Sequence, residues 1–236
     1  MSRSNFELVL TEFEQVLIAL TLIARISEHL GLQYSAHRNR LNYTLDHLAE
    51  ASQTDGPVFV FAHMIAPHPP FVFDSDGEEV NPNRSFVFAD GSHFILSGGT
   101  QDEYRKGYAG YLSWLNGKLI RCIDSIFARS KTPPVIILHA DHGPGSMLDW
   151  GSIDKSNVLE RTSILNAVYT GGTDCPILYP SISPVNIFRA VFNRAFGTDF
   201  EFLADKSNFS VWATPYQTVD ITNKLDGSRE LDSLVQ

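Results

Sequence analysis

Val135-Ile136-Ile137-Leu138-His139-Ala140-Asp141-His142-Gly143 is a strand followed by its own exit. The apolar run from Val135 to Leu138 has the composition of a buried strand. A carboxylate and an imidazole then emerge together where that strand ends, and Gly143 lets the chain turn behind them. In open α/β sheets, ligands bind outside the carboxyl ends of the strands. Asp and His are good ligands for zinc or manganese. As a bare triplet, Asp-His-Gly also occurs in loops without any such role, so its weight comes from the strand before it.

The pattern recurs upstream. Val58-Phe59-Val60-Phe61-Ala62 is a second apolar run, and His63-Met64-Ile65-Ala66-Pro67-His68-Pro69-Pro70 follows at once. Proline restricts its own φ and the residue before it, so His68 is held at modest entropic cost. His63 reads either as a site residue or as a hydrogen-bonded histidine at a strand end. His139 is a candidate supporting residue, and His29, His37, His47 and His93 read as ordinary surface histidines.

Helices flank these runs. Ser4-Asn5-Phe6-Glu7 has the capping-box pattern. Leu10, Phe13, Leu17, Leu20 and Ala24 then recur at helical spacing, with Gly31 as a C-terminal stop. A second helix is predicted over residues 38–51, with Leu41, Leu45 and Leu48 on one face. The clearest helix runs over residues 103–129, its stripe marked by Tyr104, Tyr108, Tyr111, Leu112, Leu115, Leu119, Ile123 and Ile126. Thr132-Pro133-Pro134 ends it. A last helix begins at Ser183-Pro184, buries Val185, Phe188, Val191 and Phe192, and closes at Gly197.

Residues 74–97 are the least regular stretch. Asp76-Gly77 signals a turn, and Phe86-Val87-Phe88 with Phe94-Ile95-Leu96 predicts a hairpin around Asp90-Gly91. A long excursion beside a site is a candidate lid or substrate-facing loop. Strands alternating with helices, without a dividing linker, predict one layered α/β domain, α/β/α with a largely parallel central sheet.

Composition narrows the function classes. In 236 residues, 43% are hydrophobic and 19% charged, enough for a sizeable core and unlike a disordered chain. The net charge of −9, with no basic cluster, argues against nucleic acid as a partner. Cys122 and Cys175 make no disulfide framework and read as packing residues. Val16-Leu17-Ile18-Ala19-Leu20-Thr21-Leu22-Ile23-Ala24 is apolar but too short for a span of about 20 residues. Glu12 and Glu14 precede it, unlike the basic start of a secretory signal, so a soluble amphipathic helix is expected and no membrane span.

Taken together, the His63–His68 loop, the long aromatic-rich helix and the strand ending in Asp141-His142-Gly143 resemble the sulfatase-like part of the alkaline phosphatase superfamily. Sulfatase-like hydrolases and lipid-linked phosphoethanolamine or phosphoglycerol transferases are closest in pattern. Leu178-Tyr179-Pro180-Ser181-Ile182-Ser183-Pro184-Val185-Asn186 is similar to the segment after that motif in membrane-bound members. The likeness covers roughly residues 42–210. It implies that Asp141 and His142 bind a catalytic divalent metal (zinc, manganese or calcium). It also implies that His68 contacts the phosphate or sulfate group or a second metal, and that His63 matches the loop's first histidine. The substrate would be a small-molecule or lipid-linked phosphate or sulfate ester, handled by a membrane-anchored protein with an extracytoplasmic catalytic domain.

The family's reaction goes through a covalent intermediate on a metal-activated Thr, Ser or formylglycine. That nucleophile, and one more acidic ligand, lie upstream on a first strand and helix. Before Val58 this chain offers two helical patterns and no such strand, and no Cys-x-Pro-x-Arg signature is present. The expectation is therefore a C-terminal part of such an enzyme, truncated at its N-terminus and inactive by itself. The alternative is a noncatalytic relative serving as a binding or structural module. A generic nucleotide-binding domain is weaker, since neither a Gly-x-Gly-x-x-Gly nor a Gly-x-x-x-x-Gly-Lys-Ser/Thr loop is present.

Overall fold

The computed structural model describes residues 31–82, 84–172, 178–179 and 181–225. The predicted helix over residues 4–31 and Cys175 lie outside them, apart from Gly31. That glycine proves to be the N-cap of the next helix, with φ 63°, rather than the stop of the previous one.

Helix α1 (Leu32–His47) starts six residues earlier than its leucine spacing announced. Tyr34, His37, Arg38, Leu41 and Leu45 form its buried stripe. Two charged or polar members of that stripe made its first half look exposed in sequence. Arg38 is accommodated by Val80 O at 3.1 Å, Asn81 Oδ1 at 3.0 Å and Glu79 at 3.0 Å. A short 3-10 turn (Leu48–Gln53) continues α1 onto the long helix α3 (Gln101–Arg129). Between them, α2 (Ser92–Leu96) is one brief helical turn.

Thr100 caps α3 through a full capping box: its Oγ1 accepts from Glu103 N at 3.2 Å, while Glu103 Oε2 accepts from Thr100 N at 2.8 Å. The core forms where α1, α3 and the extended Phe71-Val72-Phe73 meet. Phe71 lies edge-on to Tyr104 at 5.3 Å, and Phe73 stacks on Trp114 at 4.0 Å. A Cβ on Gly107 would stand 2.2 Å from the Phe71 ring, so only glycine lets the helix approach so closely. Cys122 is buried on the same helix, as a packing cysteine.

The strands depart from expectation. β1 (Val135–His139) is present, but it pairs antiparallel with β2 (Asn166–Thr170), with Val135 opposite Thr170 and His139 opposite Asn166. β3 (Asn208–Phe209) and β4 (Val219–Asp220) make a second antiparallel pair. The fold is thus mixed helix and strand, and among the described residues no parallel ladder occurs. Residues 58–62 join no ladder, and Phe59 and Phe61 are 79% and 78% exposed. A strand needs a neighbour for its backbone groups, and apolarity alone supplies none.

Two further predictions fail locally. The hairpin around Asp90-Gly91 is absent, because residues 92–96 coil into α2 behind Gly91 at φ 57°. After α4 (Val158–Thr162), helix α5 (Pro184–Phe196) begins and ends where Ser183-Pro184 and Gly197 announced. Its buried face, however, is Asn186, Ile187, Ala190 and Val191, while Val185 and Phe192 face outward. Asn186 sets that orientation, donating to Leu203 O at 2.8 Å and Asp205 Oδ1 at 2.9 Å and accepting from Leu203 N at 2.9 Å. A hydrophobic count cannot foresee a polar anchor. Among the described residues, no helix is long and apolar enough to cross a membrane.

Candidate functional site

The loop leaving β1 packs onto α4 at its glycine. A Cβ on Gly143 would lie 2.2 Å from Glu160 O and 2.5 Å from Ser163 O, and Gly143 N donates to Arg161 O at 2.7 Å. Close approach, rather than a turn of positive φ, is what requires glycine here. The two residues before it are aimed by their own backbone. Asp141 Oδ1 accepts from His142 N at 3.0 Å, and His142 Nδ1 bonds Gly143 O at 2.9 Å. A carbonyl only accepts, so in this bond Nδ1 donates and the Nε2 lone pair is left facing Asp141 Oδ2 at 3.6 Å.

Two facing acceptors are satisfied by a cation between them. Donors about 2.1 Å from a tetrahedral ion stand about 3.4 Å apart, close to that separation. The pair therefore fits two adjacent corners of one metal's shell. The set stops at two, since among the described residues no cluster of three or more metal-ligating side chains occurs.

His68 arrives from the proline-rich loop, its ring 6.2 Å from that of His142. Its Nδ1 bonds Pro69 O, and burial lowers its pKa below the usual histidine value. Both imidazoles line a cavity of about 320 Å³. His63 does not reach it; it is exposed, with its ring 6.3 Å from Phe61. Asp141 does not line the cavity either; its side chain is 76% exposed and touches it only through His142. His139 is exposed and bonds Ala140 O at 2.7 Å, away from the cavity. A larger open hollow of about 450 Å³ beside Ile95 and Thr100 carries only Asp102 as an ionisable lining group, so chemistry favours the smaller cavity.

The remaining walls come from residues with no motif. Asp90, buried within the excursion, accepts from Tyr104 OH at 2.6 Å and Arg161 Nη1 at 2.6 Å. Tyr104 OH in turn accepts from Gly145 N at 2.8 Å, and Trp150 Nε1 donates to Asp90 O at 2.9 Å. One carboxylate thus joins the excursion, the long helix and the post-strand loop. Burial pushes the Asp90 pKa up, but the Tyr104 hydrogen bond and the Arg161 charge outweigh it and hold the group below the usual carboxylate range. Burial and the Asp90 charge push the Tyr104 phenol well above its ordinary value.

Phe88, His93, Trp150 and Trp212 complete the lining. His93, read from sequence as a surface residue, lies 5.0 Å from the Trp212 ring. His37, read the same way, is buried against Phe86 and Phe88, its pKa lowered from 6.5 to about 4 by burial. The irregular excursion supplies Phe88, Asp90 and His93, and its candidacy as a substrate-facing loop was the one signal pointing to them. Arg161 and the two tryptophans gave no signal, being isolated in sequence. Compared with known proteins, the chain matches no family model, no curated protein and no solved structure.

Proposed function

We propose that the His68–His142–Arg161 cavity binds the tetrahedral oxyanion of a phosphate or sulfate ester, as part of a sulfatase-like metal-dependent hydrolase or transferase. The observation that carries this reading is convergence: two histidines from separate loops and a guanidinium line one small cavity. Arg161 spends Nη1 on Asp90 and Gly143 O, so its other N–H groups remain for a ligand. A guanidinium presents donors in the geometry an oxyanion accepts. His68 lines the same cavity; with Nδ1 donating to Pro69 O its Nε2 keeps a lone pair, so it would meet the ester through a bound cation or in its protonated form. Asp141 and His142 would hold the divalent cation (zinc, manganese or calcium), with further ligands from elsewhere. That cation would offset charge on the ester oxygens.

The finer architecture belongs to the same reading: residues 58–62 and β1 are strands of a largely parallel, alkaline phosphatase-like α/β/α sheet. Its support is that Asp55 meets Lys131 at 3.6 Å before the two runs, while His68 meets His142 after them. The runs therefore lie in the same direction. The exposure of both faces of residues 58–62 is what a strand covered on both sides elsewhere would leave.

Among the described residues no Ser, Thr or Cys lines the cavity, so a transfer reaction would take its nucleophile from outside these walls. That observation favours the second reading, a noncatalytic relative that binds the ester without turning it over. Metal analysis, calorimetric titration with inorganic phosphate and sulfate, and aryl phosphate and aryl sulfate assays test both. Binding with turnover supports the enzyme, and binding without it supports the module. Failure to bind either oxyanion, with zinc, manganese or calcium present, rules out both.

A further inference from the structure

We infer that helix α5, with the strip of residues 200–203 that lies along it, is a self-association face, and that its occupant is the same face of a second copy of this chain. The face stands apart from the oxyanion site, since none of its residues lines the cavity.

Helix α5 has an apolar side that the fold leaves open. Ile187, Ala190 and Val191 go inward with Asn186, which leaves Val185, Phe192 and Phe196 outside. Phe188, Phe192 and Phe196 recur every four residues, so their rings follow one another at 5.9 and 5.8 Å along one stripe. Phe200 extends the stripe, 6.3 Å from Phe192. The strip beyond the helix is tied to it through the main chain. Asn193 Nδ2 donates to Phe200 O at 2.9 Å, Arg189 Nη1 to Glu201 O at 3.1 Å and Asn186 Nδ2 to Leu203 O at 2.8 Å. Three side chains spaced along α5 thus hold the strip's backbone, while Phe200, Phe202 and Leu203 stay exposed. A platform fixed in this way loses little conformational freedom on docking.

Val185, Phe192, Phe196, Phe200, Phe202 and Leu203 are 36–74% exposed. With a phenylalanine offering roughly 200 Å², the six leave about 500 Å² of apolar surface open, as much as the largest patch on an ordinary monomer. Covering it on two copies removes about 1,000 Å² from water, the least that a specific interface needs.

Charge selects the occupant. Helix α5 carries Arg189 and Arg194 and no acid, while the residues just after it carry Asp199 and Glu201. A two-fold contact sets each part of a surface against another part of the same surface. With the rings at its centre, such a contact brings the basic helix of one copy against the acidic strip of the other, and both charges are answered. A lipid surface would answer only the arginines. Interfacial helices rely on Lys and Arg, and here Asp199, Glu201 and the net charge of −9 oppose an anionic leaflet.

Sedimentation equilibrium of the full chain tests this. The mass is expected to rise from one chain to two over about a hundredfold range of concentration, as reversible pairing requires. Phe196→Glu should raise the dissociation constant by at least about tenfold. Phe196 is 74% exposed, so the urea midpoint of that variant should match the parent's. Arg194→Glu and Glu201→Arg should each weaken pairing about two- to fivefold, and the double variant should recover most of that loss. A chain that stays single at every concentration, or a dimer that Phe196→Glu leaves intact, overturns the proposal. A double variant no tighter than the single ones overturns the charge arrangement. Co-sedimentation with vesicles of phosphatidylcholine and phosphatidylserine, lost in Phe196→Glu, would assign the face to a lipid surface instead.

Discussion

Asp90 and Arg161 close a 2.6 Å ion pair across 71 residues of sequence, with side chains only 5% and 14% exposed. The pair lines the cavity, and Asp90 anchors its guanidinium. Arg161 also donates to Gly143 O at 3.1 Å, so the same contact steadies the backbone that carries Asp141 and His142.

Removing one partner of such a pair leaves the other charge buried and unmatched. Asp90→Ala is expected to lower unfolding free energy by about 3–5 kcal/mol, read as a fall in the urea midpoint. Asp90→Asn, which keeps one acceptor oxygen for either Tyr104 or Arg161 and buries no unmatched charge of its own, should lose less. Equal stability of Asp90→Ala and the parent chain would contradict the anchoring role.

Gly143→Ala places a methyl group against two carbonyls of α4 that cannot move independently of the helix. A loss of about 1–3 kcal/mol is expected. Because the loop must lift off α4, phosphate affinity should fall as well, measured by titration. A variant as stable as the parent and with unchanged affinity would show that the close approach is dispensable.

Asp141→Ala is expected to abolish metal uptake, measured by elemental analysis after equilibration with zinc or manganese and removal of excess metal. Since that side chain is 76% exposed and makes only a local backbone bond, stability should stay within about 0.5 kcal/mol. Unchanged metal content in this variant would remove Asp141 from the ligand set.

His37 makes folding sensitive to acid. Its pKa is about 4 in the folded chain against 6.5 unfolded, lowered by burial and by Arg40, with Arg38 and His68 nearby. Between pH 6.5 and 4 the unfolded chain takes up a proton that the folded chain refuses. Stability therefore falls as pH drops through this window, by up to about 3 kcal/mol, and is fully present above it. His37→Leu should lose this portion of the pH slope in urea unfolding at pH 7 and pH 4.5. An unaltered slope in that variant would mean that His37 is not held neutral.

Local signals read well where a local cause dominates. The Thr-Pro-Pro stop, the stripe through Tyr104, Tyr111, Leu115 and Leu119, and the Ser183-Pro184 start each act within a turn or two, and all correspond to observed boundaries or burial. The run Val135-Ile136-Ile137-Leu138 is likewise a strand, though half-exposed rather than buried as its composition suggested. Of the site, His68 and His142 could be named in advance, because proline stiffening and a strand exit are both visible in a few consecutive residues. His63 could not be told from His68 by the same signs, and the cavity takes only the second.

Pairing and convergence belong to the tertiary structure. Nothing within residues 135–139 says that their partner is Asn166–Thr170 or that the pair runs antiparallel, since a ladder is specified jointly with a distant segment. Asn186, a polar residue at the centre of a buried helix face, shifts the face that apolar spacing assigns to α5, keeping Val191 inside and turning Val185 and Phe192 outward. Asp90, His93, Trp150, Arg161 and Trp212 become one wall only after four separated segments fold together. The amino-acid sequence by itself determined where α3 stops, where α5 begins and ends and which imidazoles emerge at loop exits, because caps, periodicity and proline act over one or two turns of chain. The tertiary structure alone decided which strand pairs with which and which charges and rings share a cavity, because a buried ion pair or a cavity wall exists only between residues that the fold brings within a few ångströms.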